Sequence, residues 1–584
     1  MKASDYLAKF LADNNVSHIF GLQGGAVVHL FDSIDRYGGL KSIYCHHEQS
    51  AALAATAYSK ASGGLGCVIV TTGPACTNAL TGLLAAWQDS TPVIFISGQT
   101  RLEHTSYGKP VRQVGSQEFA ILDVVRPITK YARLVESVEQ LPEILTQAAS
   151  AALNGRQGPV WIDFPVNLQW GDLPTSSATL TSSLIKPLTF QSSNNIFDQV
   201  ATELFAAKRP LVVIGNGVRS SGSVDLFHEF VKKFSIPFVT SWTAADLLPT
   251  NYPLNAGILG VAGKRGANKA VFAADLLLCL GCHLGLTQTS TLTENYAPNS
   301  RKIIIDIDID QLNNLTVKFD FAIHANIADF FLKINSDSNK FKCESKWLQT
   351  INKLRHENDV DTTLTEVEKI GDGITVNSNL FNTRLTSAIP ARSILVVDGG
   401  GTALYTGFQS SVLKAGQRII CSSAISAMGT GLPEAIGASF ATNRSEVYCM
   451  IGDGSLMLNL QELQTIRHHN LPVKVIVYNN NGYLAIKHTQ KTFLSERYFG
   501  TDANHGVSVP SINRIANCFD LPFLHVVGVG QMDDAINKIV EHVGPLIVDV
   551  ATPELQSMLF QQGYRSKVNG TFEPSDLSEM KPFL

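Results

Sequence analysis

The sequence lacks the features that mark several large classes of protein. No segment has eighteen consecutive apolar residues, which argues against a membrane-spanning helix. The net charge is −4, so no excess of basic residues points to nucleic acid as a partner. The nine cysteines form no CxxC pair, and Cys67, Cys279 and Cys449 lie inside apolar runs. This pattern argues against a zinc site or a disulfide framework and is typical of reduced, buried thiols.

The first twenty residues also lack the apolar core and the cleavage site of a signal peptide. They have instead the periodicity of an amphipathic helix, so we expect a cytoplasmic protein. The length of 584 residues predicts about three or four domains. Apolar residues make up 45% of the chain and charged residues 16%, as in a globular α/β protein.

Apolar, strand-like segments alternate with helix-like segments along most of the chain. Residues 67–72 favour a strand, 74–87 a helix and 92–97 a strand. Such alternation predicts parallel sheets with helices on both faces. We predict three doubly wound α/β units at 1–168, 196–335 and 376–552. We predict linkers at 169–195 and 336–375, the second with a solvent-exposed helix, and an irregular tail at 553–584.

The most informative stretch lies in the third unit, where a GDG turn follows an apolar strand at 447–451. A helical segment and a second apolar strand at 473–478 come next, and then three asparagines. In such a β-α-β crossover, Asp453 and Asn480 reach the same carboxyl edge of a parallel sheet, where ligands bind. Their oxygens suit Mg2+, which completes its shell with phosphate oxygens and water. We therefore predict a metal bridging the protein to a diphosphate, with an ordinary β-α-β unit as the alternative.

This stretch resembles the diphosphate-binding motif of thiamine diphosphate (ThDP) enzymes. A second stretch, CHHEQ, places Glu48 at the start of an alanine-rich helix. ThDP becomes reactive when a carboxylic acid hydrogen-bonds N1′ of its aminopyrimidine, and an apolar site favours the neutral acid that this requires. Glu48 is the candidate for that role. The alternative is a residue that only stabilises the helix N-terminus.

The resemblance extends over residues 3 to 555 and is closest to the acetolactate synthase branch of the ThDP enzymes. It is carried by FGLQGGAVVHLFDSI, CHHEQSAALAATAYSKASG, TTGPACTNALTGLLAAWQDSTPVIFISGQ, GPVWIDFPVNLQ, SAMGTGLPEAIGA and the GDG–NN stretch. It implies a pyrimidine-binding domain, a central domain and a diphosphate-binding domain. It also implies a homodimer or homotetramer, because in the family the glutamate reaches ThDP on another subunit.

Carried over residue by residue, the resemblance implies a set of site residues. Glu48, Gly25 and Gln117 match positions at the reacting centre, and Met428 matches the methionine that holds ThDP bent. The implied metal ligands are Asp453, Asn480 and the Gly482 carbonyl. The implied diphosphate contacts are Gly401, Thr402, Gly454 and Ser455.

The sequence departs from acetolactate synthases around the second substrate. The arginine that holds the acceptor carboxylate falls on His283, and the acceptor-selecting tryptophan falls on Thr489. A phenylalanine falls on Ser116 and a lysine on Val166. His488, beside Thr489, is a further candidate for substrate contact. The acceptor pocket is thus expected to be larger and less suited to a small carboxylate.

These departures leave three functions open. In the first, the two-carbon unit from a 2-keto acid such as pyruvate is joined to a bulky carbonyl compound, such as a nucleotide-linked keto-deoxysugar. In the second, His283, Arg112 or Lys487 replaces the lost cation and the product is acetolactate. In the third, the enzyme is a simple 2-keto acid decarboxylase or a ThDP-dependent lyase or hydrolase.

FAD is left open as a further cofactor, because acetolactate synthases carry it in their central domain. Residues 214–217 and 305–308 partly match that region, and Arg156 matches a flavin-contacting arginine. The family's RFDDR segment is replaced here by HLGLTQ. The glycine-rich turn could therefore serve a flavin or merely cap a helix.

Overall fold

The structure is a computed structural model that describes residues 1–174, 194–338, 341–566 and 572–581. It contains three six-stranded sheets in which neighbouring strands run parallel, with helices packed around them. The predicted α/β fold of three doubly wound parallel-sheet units is confirmed. The domain bounds given above stay predictions, and most of the linker predicted at 169–195 lies outside the described residues.

The first unit carries its strands in the order β2-β1-β3-β4-β6-β5. These strands are β1 (His18–Gly21), β2 (Lys41–Tyr44), β3 (Gly66–Val70), β4 (Val93–Gln99), β5 (Tyr131–Leu134) and β6 (Val160–Pro165). Its helices are Ala3–Asp13, Val28–Tyr37, Glu48–Ser62, Pro74–Asn78, Leu80–Gln88, Ile121–Val125, Leu141–Leu153 and Val166–Gln169. The predicted single helix at 74–87 is thus two shorter ones.

The central unit has a different strand order, β12-β11-β10-β7-β8-β9. Its strands are β7 (Pro210–Ile214), β8 (Phe238–Thr240), β9 (Asn255–Ile258), β10 (Leu276–Leu280), β11 (Arg301–Asp306) and β12 (Phe321–His324). Its helices are Asn194–Ala206, Gly217–Ser220, Val224–Phe234, Arg265–Ala273, Leu286–Thr289, Ile309–Asn313 and Ile327–Ser336.

The third unit is ordered β14-β13-β15-β16-β18-β17. Its strands are β13 (Ile394–Val397), β14 (Arg418–Ile420), β15 (Val447–Gly452), β16 (Val473–Asn479), β17 (Phe523–Val526) and β18 (Leu546–Ala551). Its helices are Ser378–Ala388, Gly401–Ser410, Gly431–Ala441, Asp453–Leu456, Glu462–His468, Leu484–Phe493, Ile512–Cys518 and Met532–Glu541. When its strands are counted from β13, this order is that of the first unit, so the two units share one topology.

The first and third units also share one apolar core. It joins buried side chains of helix Glu48–Ser62 to those of helix Gly431–Ala441 and to both sheets behind them. The two helices approach closely because the facing residues are small. A Cβ on Gly437 would lie 2.0 Å from the Ala54 carbonyl oxygen, a distance that only glycine avoids. This helix pair therefore fixes the first unit against the third.

The helix predicted to be solvent-exposed within 336–375 is in fact packed on the central unit. Helix Ser345–His356 buries Trp347 and Ile351 in the central core. The Trp347 indole donates a hydrogen bond to the Pro210 carbonyl at 2.9 Å. The prediction was wrong because the mainly polar composition of this helix obscures its two buried apolar positions. Short helices Val360–Thr363 and Glu366–Ile370 lead on to the third unit.

The tail contains regular structure, contrary to the irregular segment predicted at 553–584, although part of that range lies outside the described residues. Strand β19 (Gln561–Gln562) pairs with β22 (Met580–Lys581), and β20 (Tyr564–Ser566) pairs with β21 (Phe572–Pro574), both antiparallel. Tyr564 and Phe572 pack edge-on against Phe493, the last residue of helix Leu484–Phe493. Among the described residues, no helix combines the length and apolar character that a membrane span requires.

Candidate active site

The GDG turn and the asparagine run lie side by side at one edge of the third sheet. Strands β15 and β16 are neighbours, with Gly452 in register with Tyr478. Asp453 is the first residue after β15, and Asn480 is the first residue after β16. Because parallel strands end at the same edge, the crossover brings the two side chains together as the spacing predicts.

Hydrogen bonds organise the three predicted metal ligands. The carboxylate of Asp453 accepts from the Gly454 N–H at 2.7 Å and from the Gly482 N–H at 2.8 Å. The Asn480 amide donates to the Gly482 carbonyl at 3.0 Å, and the Thr402 hydroxyl lies 3.5 Å from Asn480 Oδ1. One carboxylate, one amide oxygen and one backbone carbonyl thus meet in a small space.

This group of oxygens suits a hard cation. Asp453 is 1% exposed, and no ion pair is described for its carboxylate. Burial raises the pKa of Asp453 to about 6, although the backbone hydrogen bonds oppose that rise. A buried carboxylate without a cationic partner is costly, and a bound divalent metal would remove that cost. Among the described residues no cluster of three His, Cys, Asp or Glu side chains offers another kind of metal site.

A segment that contains Thr501 and Asp502, which we call the strap, lies over Gly482, the proposed metal ligand. Gly482 has a φ of +140°, and a Cβ there would lie 2.1 Å from the Thr501 carbonyl oxygen. That same carbonyl accepts a hydrogen bond from the Tyr483 N–H at 2.8 Å. Glycine is therefore required at 482 both by backbone conformation and by the close approach of the strap.

A buried ion pair anchors the strap. Lys487 is 4% exposed, and its ammonium lies 3.0 Å from the Asp502 carboxylate. His505 Nδ1 lies 2.6 Å from the other Asp502 oxygen. Burial alone would raise the pKa of Asp502, but the bonds and charges of Lys487 and His505 lower it to about 2. Asp502 is thus held ionised, one residue beyond the carbonyl that covers Gly482.

The residues predicted to contact the diphosphate flank this group. Gly401 begins helix Gly401–Ser410, whose first N–H groups have no partner within the helix and suit an anion. A Cβ on Gly400 would lie 2.1 Å from Ser455 Oγ, and one on Gly454 would lie 2.2 Å from the Tyr483 ring. The two predicted positions Gly401 and Ser455 therefore belong to one tightly packed wall.

Asp398 is an organising residue that the sequence reasoning missed. Its buried carboxylate accepts hydrogen bonds from the Gly400 N–H at 2.8 Å and from the Gly431 N–H at 2.9 Å. It thereby ties the turn before helix Gly401–Ser410 to the start of helix Gly431–Ala441. Its position directly after an apolar strand, as for Asp453, was the signal that could have found it.

Met428 lies in the turn before helix Gly431–Ala441 and is half-buried. The next residue, Gly429, has a φ of +84°, and its carbonyl accepts from the Asn459 amide at 2.7 Å. Asn459 Oδ1 in turn accepts from the Ser50 hydroxyl at 2.9 Å. This chain of bonds links the Met428 turn to the helix that Glu48 begins.

Glu48 is the first residue of its helix and is half-buried. Its Oε2 accepts a hydrogen bond from the Asn78 amide at 3.0 Å. His47 caps the helix, because its Nδ1 accepts from the Gln49 N–H at 3.1 Å. His47 therefore shapes the turn, while the Glu48 carboxyl keeps one oxygen without a described partner.

Gly25 and Gln117 lie on other loops at the carboxyl edge of the first sheet. A Cβ on Gly25 would meet no atom within 4 Å, so packing does not require glycine there. Gln117 has a φ of +64°, and its carbonyl oxygen lies 3.3 Å from the Thr72 hydroxyl. A Cβ on Gly73 would lie 2.1 Å from that oxygen. Glu48, Gly25 and Gln117 thus follow three different strands at one edge.

Two separate groups result, one at the first sheet around Glu48 and one at the third around Asp453. Within the described part of the chain, no hydrogen bond or ion pair joins Glu48 to Asp453, Asn480 or Gly482. The bonds between the two units include that of Ser50 to Asn459 and that of the His46 N–H, which donates to Glu462 at 3.0 Å. Lys60 adds two more, because its ammonium donates to the Cys421 carbonyl at 3.0 Å and its own carbonyl accepts from Arg418 at 2.8 Å.

His283 lies in the central unit beside the residues that partly match a flavin site. Its Nδ1 lies 2.7 Å from Gln311 Oε1. It borders a cavity of about 360 Å3 with Arg156 and Asp308, which form an ion pair at 2.9 Å. Packing alone requires glycine at 215 and 217, because a Cβ on either residue would clash with the backbone of Gly281. The glycine-rich turn alone therefore does not indicate a nucleotide.

The other predicted substrate residues lie elsewhere. Ser116 is exposed on the loop that carries Gln117, and Thr489 is exposed on helix Leu484–Phe493, where its hydroxyl donates to the Ala485 carbonyl at 3.1 Å. His488 Nε2 donates to the Gln556 carbonyl at 2.8 Å. No described contact within the chain joins His283 to Ser116, Thr489 or His488, so their sharing of a pocket stays a prediction.

Comparison with known proteins agrees with this geometry over nearly the whole chain. The family model described as thiamine pyrophosphate enzyme, N-terminal TPP binding domain, matches residues 1–124. The central-domain model of the same enzymes matches 197–334, and the C-terminal TPP binding domain matches 399–550. The three matches fall on the three sheets.

Several curated relatives match across their full length. Acetolactate synthase isozyme 2 large subunit of Escherichia coli (strain K12) is 30% identical over 560 residues, covering 96% of this chain and 97% of that one. The acetolactate synthase large subunit of Lactococcus lactis is 29% identical, covering 95% and 93%. Acetolactate synthase 1, chloroplastic, of Zea mays is 29% identical, covering 96% and 86%. The chain therefore belongs to the thiamine diphosphate-dependent enzymes, in their acetolactate synthase-like branch.

Proposed function

We propose that this enzyme decarboxylates a 2-keto acid, with pyruvate as the donor, and joins the two-carbon unit to the carbonyl group of a nucleotide-linked keto-deoxysugar. The general reaction, ThDP-dependent decarboxylation and carboligation of the acetolactate synthase type, is supported by the full-length relatives and the three family models. The acceptor is the new element of the proposal.

When bound, ThDP supplies the electron sink that both bond changes need. The chain's own groups hold and activate it. Glu48 is the residue that would hydrogen-bond the pyrimidine N1′ of bound ThDP, and its Oε2 accepts a hydrogen bond from the Asn78 amide at 3.0 Å. Gly401, Thr402, Gly454 and Ser455 would hold the diphosphate of bound ThDP, and Met428 would support its thiazolium and pyrimidine rings.

Mg2+ belongs to the proposal on the chemistry of the donor set. Asp453, Asn480 Oδ1 and the Gly482 carbonyl provide three hard oxygens, of which the carboxylate is buried without an ion pair. The remaining positions of an octahedral shell suit phosphate oxygens and water. Calorimetric titration of the protein with ThDP, with and without Mg2+, tests this assignment.

One observation carries the choice of acceptor. The resemblance to acetolactate synthases implies a phenylalanine and a tryptophan at two positions where this chain has Ser116 and Thr489, both small and exposed. Where they have an arginine, it has His283, which is already engaged with Gln311. Small side chains at two of these positions favour a bulky acceptor, and the missing guanidinium disfavours a small carboxylate.

A specific observation also favours acetolactate as the product. Arg112 is exposed on the loop that carries Gln117, with no described partner, so it is free to bind a carboxylate. Lys487 is not a candidate for this role, because it is buried and paired with Asp502. Acetolactate synthase is therefore the second candidate function.

The test compares products. With pyruvate alone, acetaldehyde identifies a decarboxylase and acetolactate identifies a synthase, whereas slow turnover of both indicates a missing acceptor. Addition of a nucleotide-linked keto-deoxysugar should then accelerate pyruvate consumption and yield a branched sugar. Acetolactate formed at a rate that the sugar does not change would contradict the proposal. Ser116→Phe and Thr489→Trp should suppress the sugar reaction while decarboxylation continues.

We further propose FAD as a second cofactor of the central unit. Arg156 and Asp308, which correspond to flavin-region residues, line the cavity of about 360 Å3 and neutralise each other's charge. The visible absorption spectrum of the purified protein and the flavin released on heating test this directly. Protein that carries no flavin and gains none on incubation with FAD would contradict it.

We also propose a homodimer or homotetramer whose active sites lie between subunits. Support comes from the two separate groups described above, since no described bond joins Glu48 to the Asp453 group within one chain. The oligomeric state is measured by light scattering.

A further inference from the structure

A second cavity lies between the first and third units, and none of its lining residues belongs to the proposed active site. It has a volume of about 360 Å3, within the roughly 300 to 1,000 Å3 usual for small-molecule sites. We call it the basic cleft and define it by His18, Lys41 and Ser42 on one wall and Arg444 and His469 on the other. His18 and Lys41 begin β1 and β2 and are in register, and the lining continues along the edge strand β2 from Lys41 to Tyr44.

Positive charge in the basic cleft is not neutralised by the protein. Lys41 and Arg444 are both exposed, and no hydrogen bond or ion pair is described for either side chain. Asp35 is the acidic residue on the cavity lining, and it is exposed and forms no described ion pair with Lys41 or Arg444. Arginine and lysine side chains that line one cavity without ion-pair partners are the usual ligands of phosphate groups.

Nearby positive charges also lower the pKa values of two histidines in the cleft. Burial lowers the pKa of His18 to about 4, and the charges of Lys41 and Arg444 contribute to that shift. Burial also lowers the pKa of His469, helped by His468 and Arg444. Both rings are therefore neutral at pH 7 and act as hydrogen-bonding groups. Since His18 Nδ1 is paired with the Ser17 hydroxyl at 3.0 Å, Nε2 is the ring's remaining polar atom.

Ser42 and the turn at Asn443 and Arg444 complete the lining of the cleft. The Ser42 hydroxyl, on the cavity lining, is shielded and has no hydrogen-bond partner within the described residues. Asn443 and Arg444 have consecutive φ values of +53° and +63°, a left-handed turn that is unfavourable for arginine. This turn ends helix Gly431–Ala441, because the Arg444 N–H donates to the Ser439 carbonyl at 2.8 Å, and it places Arg444 on the cavity lining.

We propose that the basic cleft binds a phosphorylated small molecule. The Arg444 guanidinium and the Lys41 ammonium hold the phosphate, Ser42 donates a hydrogen bond after rotation of its side chain, and Asp35 at the rim accepts from a hydroxyl or amino group of the ligand. Because the two walls come from different units, the bound ligand holds the first unit against the third. Binding to the folded form alone raises the unfolding temperature.

The experiment uses the full chain saturated with ThDP and Mg2+, so that phosphate cannot act at the cofactor site. Inorganic phosphate is titrated at constant ionic strength, with chloride as the balancing anion, and the unfolding midpoint is followed. The wild-type midpoint should rise and saturate. The double variant Lys41→Gln/Arg444→Gln should start from a similar midpoint and show no saturating rise.

A matched control removes two other exposed cations through Lys208→Gln/Arg384→Gln and should respond as the wild type does. Calorimetric titration with phosphate provides a second measurement of the same difference. An equal response of the wild type and the Lys41/Arg444 variant, or no response of the wild type, would overturn the proposal. These readouts need no turnover, so they do not depend on the acceptor assigned above.

Discussion

Whether the active site lies between subunits can be decided by mixing two inactive variants. Glu48→Gln removes the proposed pyrimidine contact, and Asp453→Asn removes the buried metal carboxylate. Each should lower activity by at least about 10²-fold, as loss of an acid–base group usually does. The two residues lie at the edges of different sheets, so each variant leaves the other group intact.

The expected activity of the mixed dimer follows from counting sites. If Glu48 of one subunit serves the Asp453 group of its partner, one of the two sites contains both substitutions and the other contains neither. A heterodimer isolated through two different affinity tags should then have about half the wild-type activity. The assay is pyruvate consumption in the presence of saturating ThDP and Mg2+.

The alternative arrangement gives a different number. If each chain builds its own site, both sites of the heterodimer contain one substitution, and activity stays at the level of the single variants. The control pairs Glu48→Gln with the double variant Glu48→Gln/Asp453→Asn, in which no subunit has an intact Glu48, so activity should be absent in either arrangement. Heterodimer activity no higher than that of this control would refute the shared site.

Three further predictions concern stability and the strap. Burial raises the pKa of the Glu434 carboxyl to about 7 from an ordinary 4.5. Ionisation of this group therefore lowers the free energy of unfolding by up to about 3 kcal/mol as pH rises from about 4.5 through 7. Urea unfolding measured from pH 5 to pH 8 should show this loss in the wild type, and Glu434→Gln should reduce it. Asp502→Asn should lower the free energy of unfolding by about 3–5 kcal/mol, because it leaves Lys487 buried and unpaired, and should weaken ThDP–Mg2+ binding about 10–100-fold. Adding Lys487→Met to the same chain should recover part of the stability. If the losses of the two single variants simply add in the double variant, the ion pair is contradicted. Gly437→Ala should destabilise the protein by about 1–3 kcal/mol, because the new Cβ would lie 2.0 Å from the Ala54 carbonyl oxygen. The control Gly530→Ala should leave the unfolding midpoint unchanged, because a Cβ at 530 would have no neighbour within 4 Å.

Local sequence pattern predicted the strands and the proximity of Asp453 and Asn480, because both depend on residues close together in the chain. Asp453 and Asn480 are joined by one crossover, whose geometry is nearly invariant. The strap over Gly482 escaped prediction because Thr501 and Asp502 carry no motif and act through a carbonyl and an ion pair. Trp347 escaped because most residues of its helix are polar. The pairing of Ala54 with Gly437 could not be read from either segment alone, since each is only a small residue in an apolar helix.

The shared core of the first and third units has a consequence for how this protein is made. Helix Glu48–Ser62 is synthesised early, yet the helix that covers it, Gly431–Ala441, emerges only after the central unit is complete. A nascent chain must therefore carry an uncovered alanine-rich surface for most of its translation. Contacts this distant in sequence form slowly, and exposed apolar surface invites aggregation. The core on the other face of the first sheet is confined to residues 3–173, so that face can be covered long before helix Gly431–Ala441 is made.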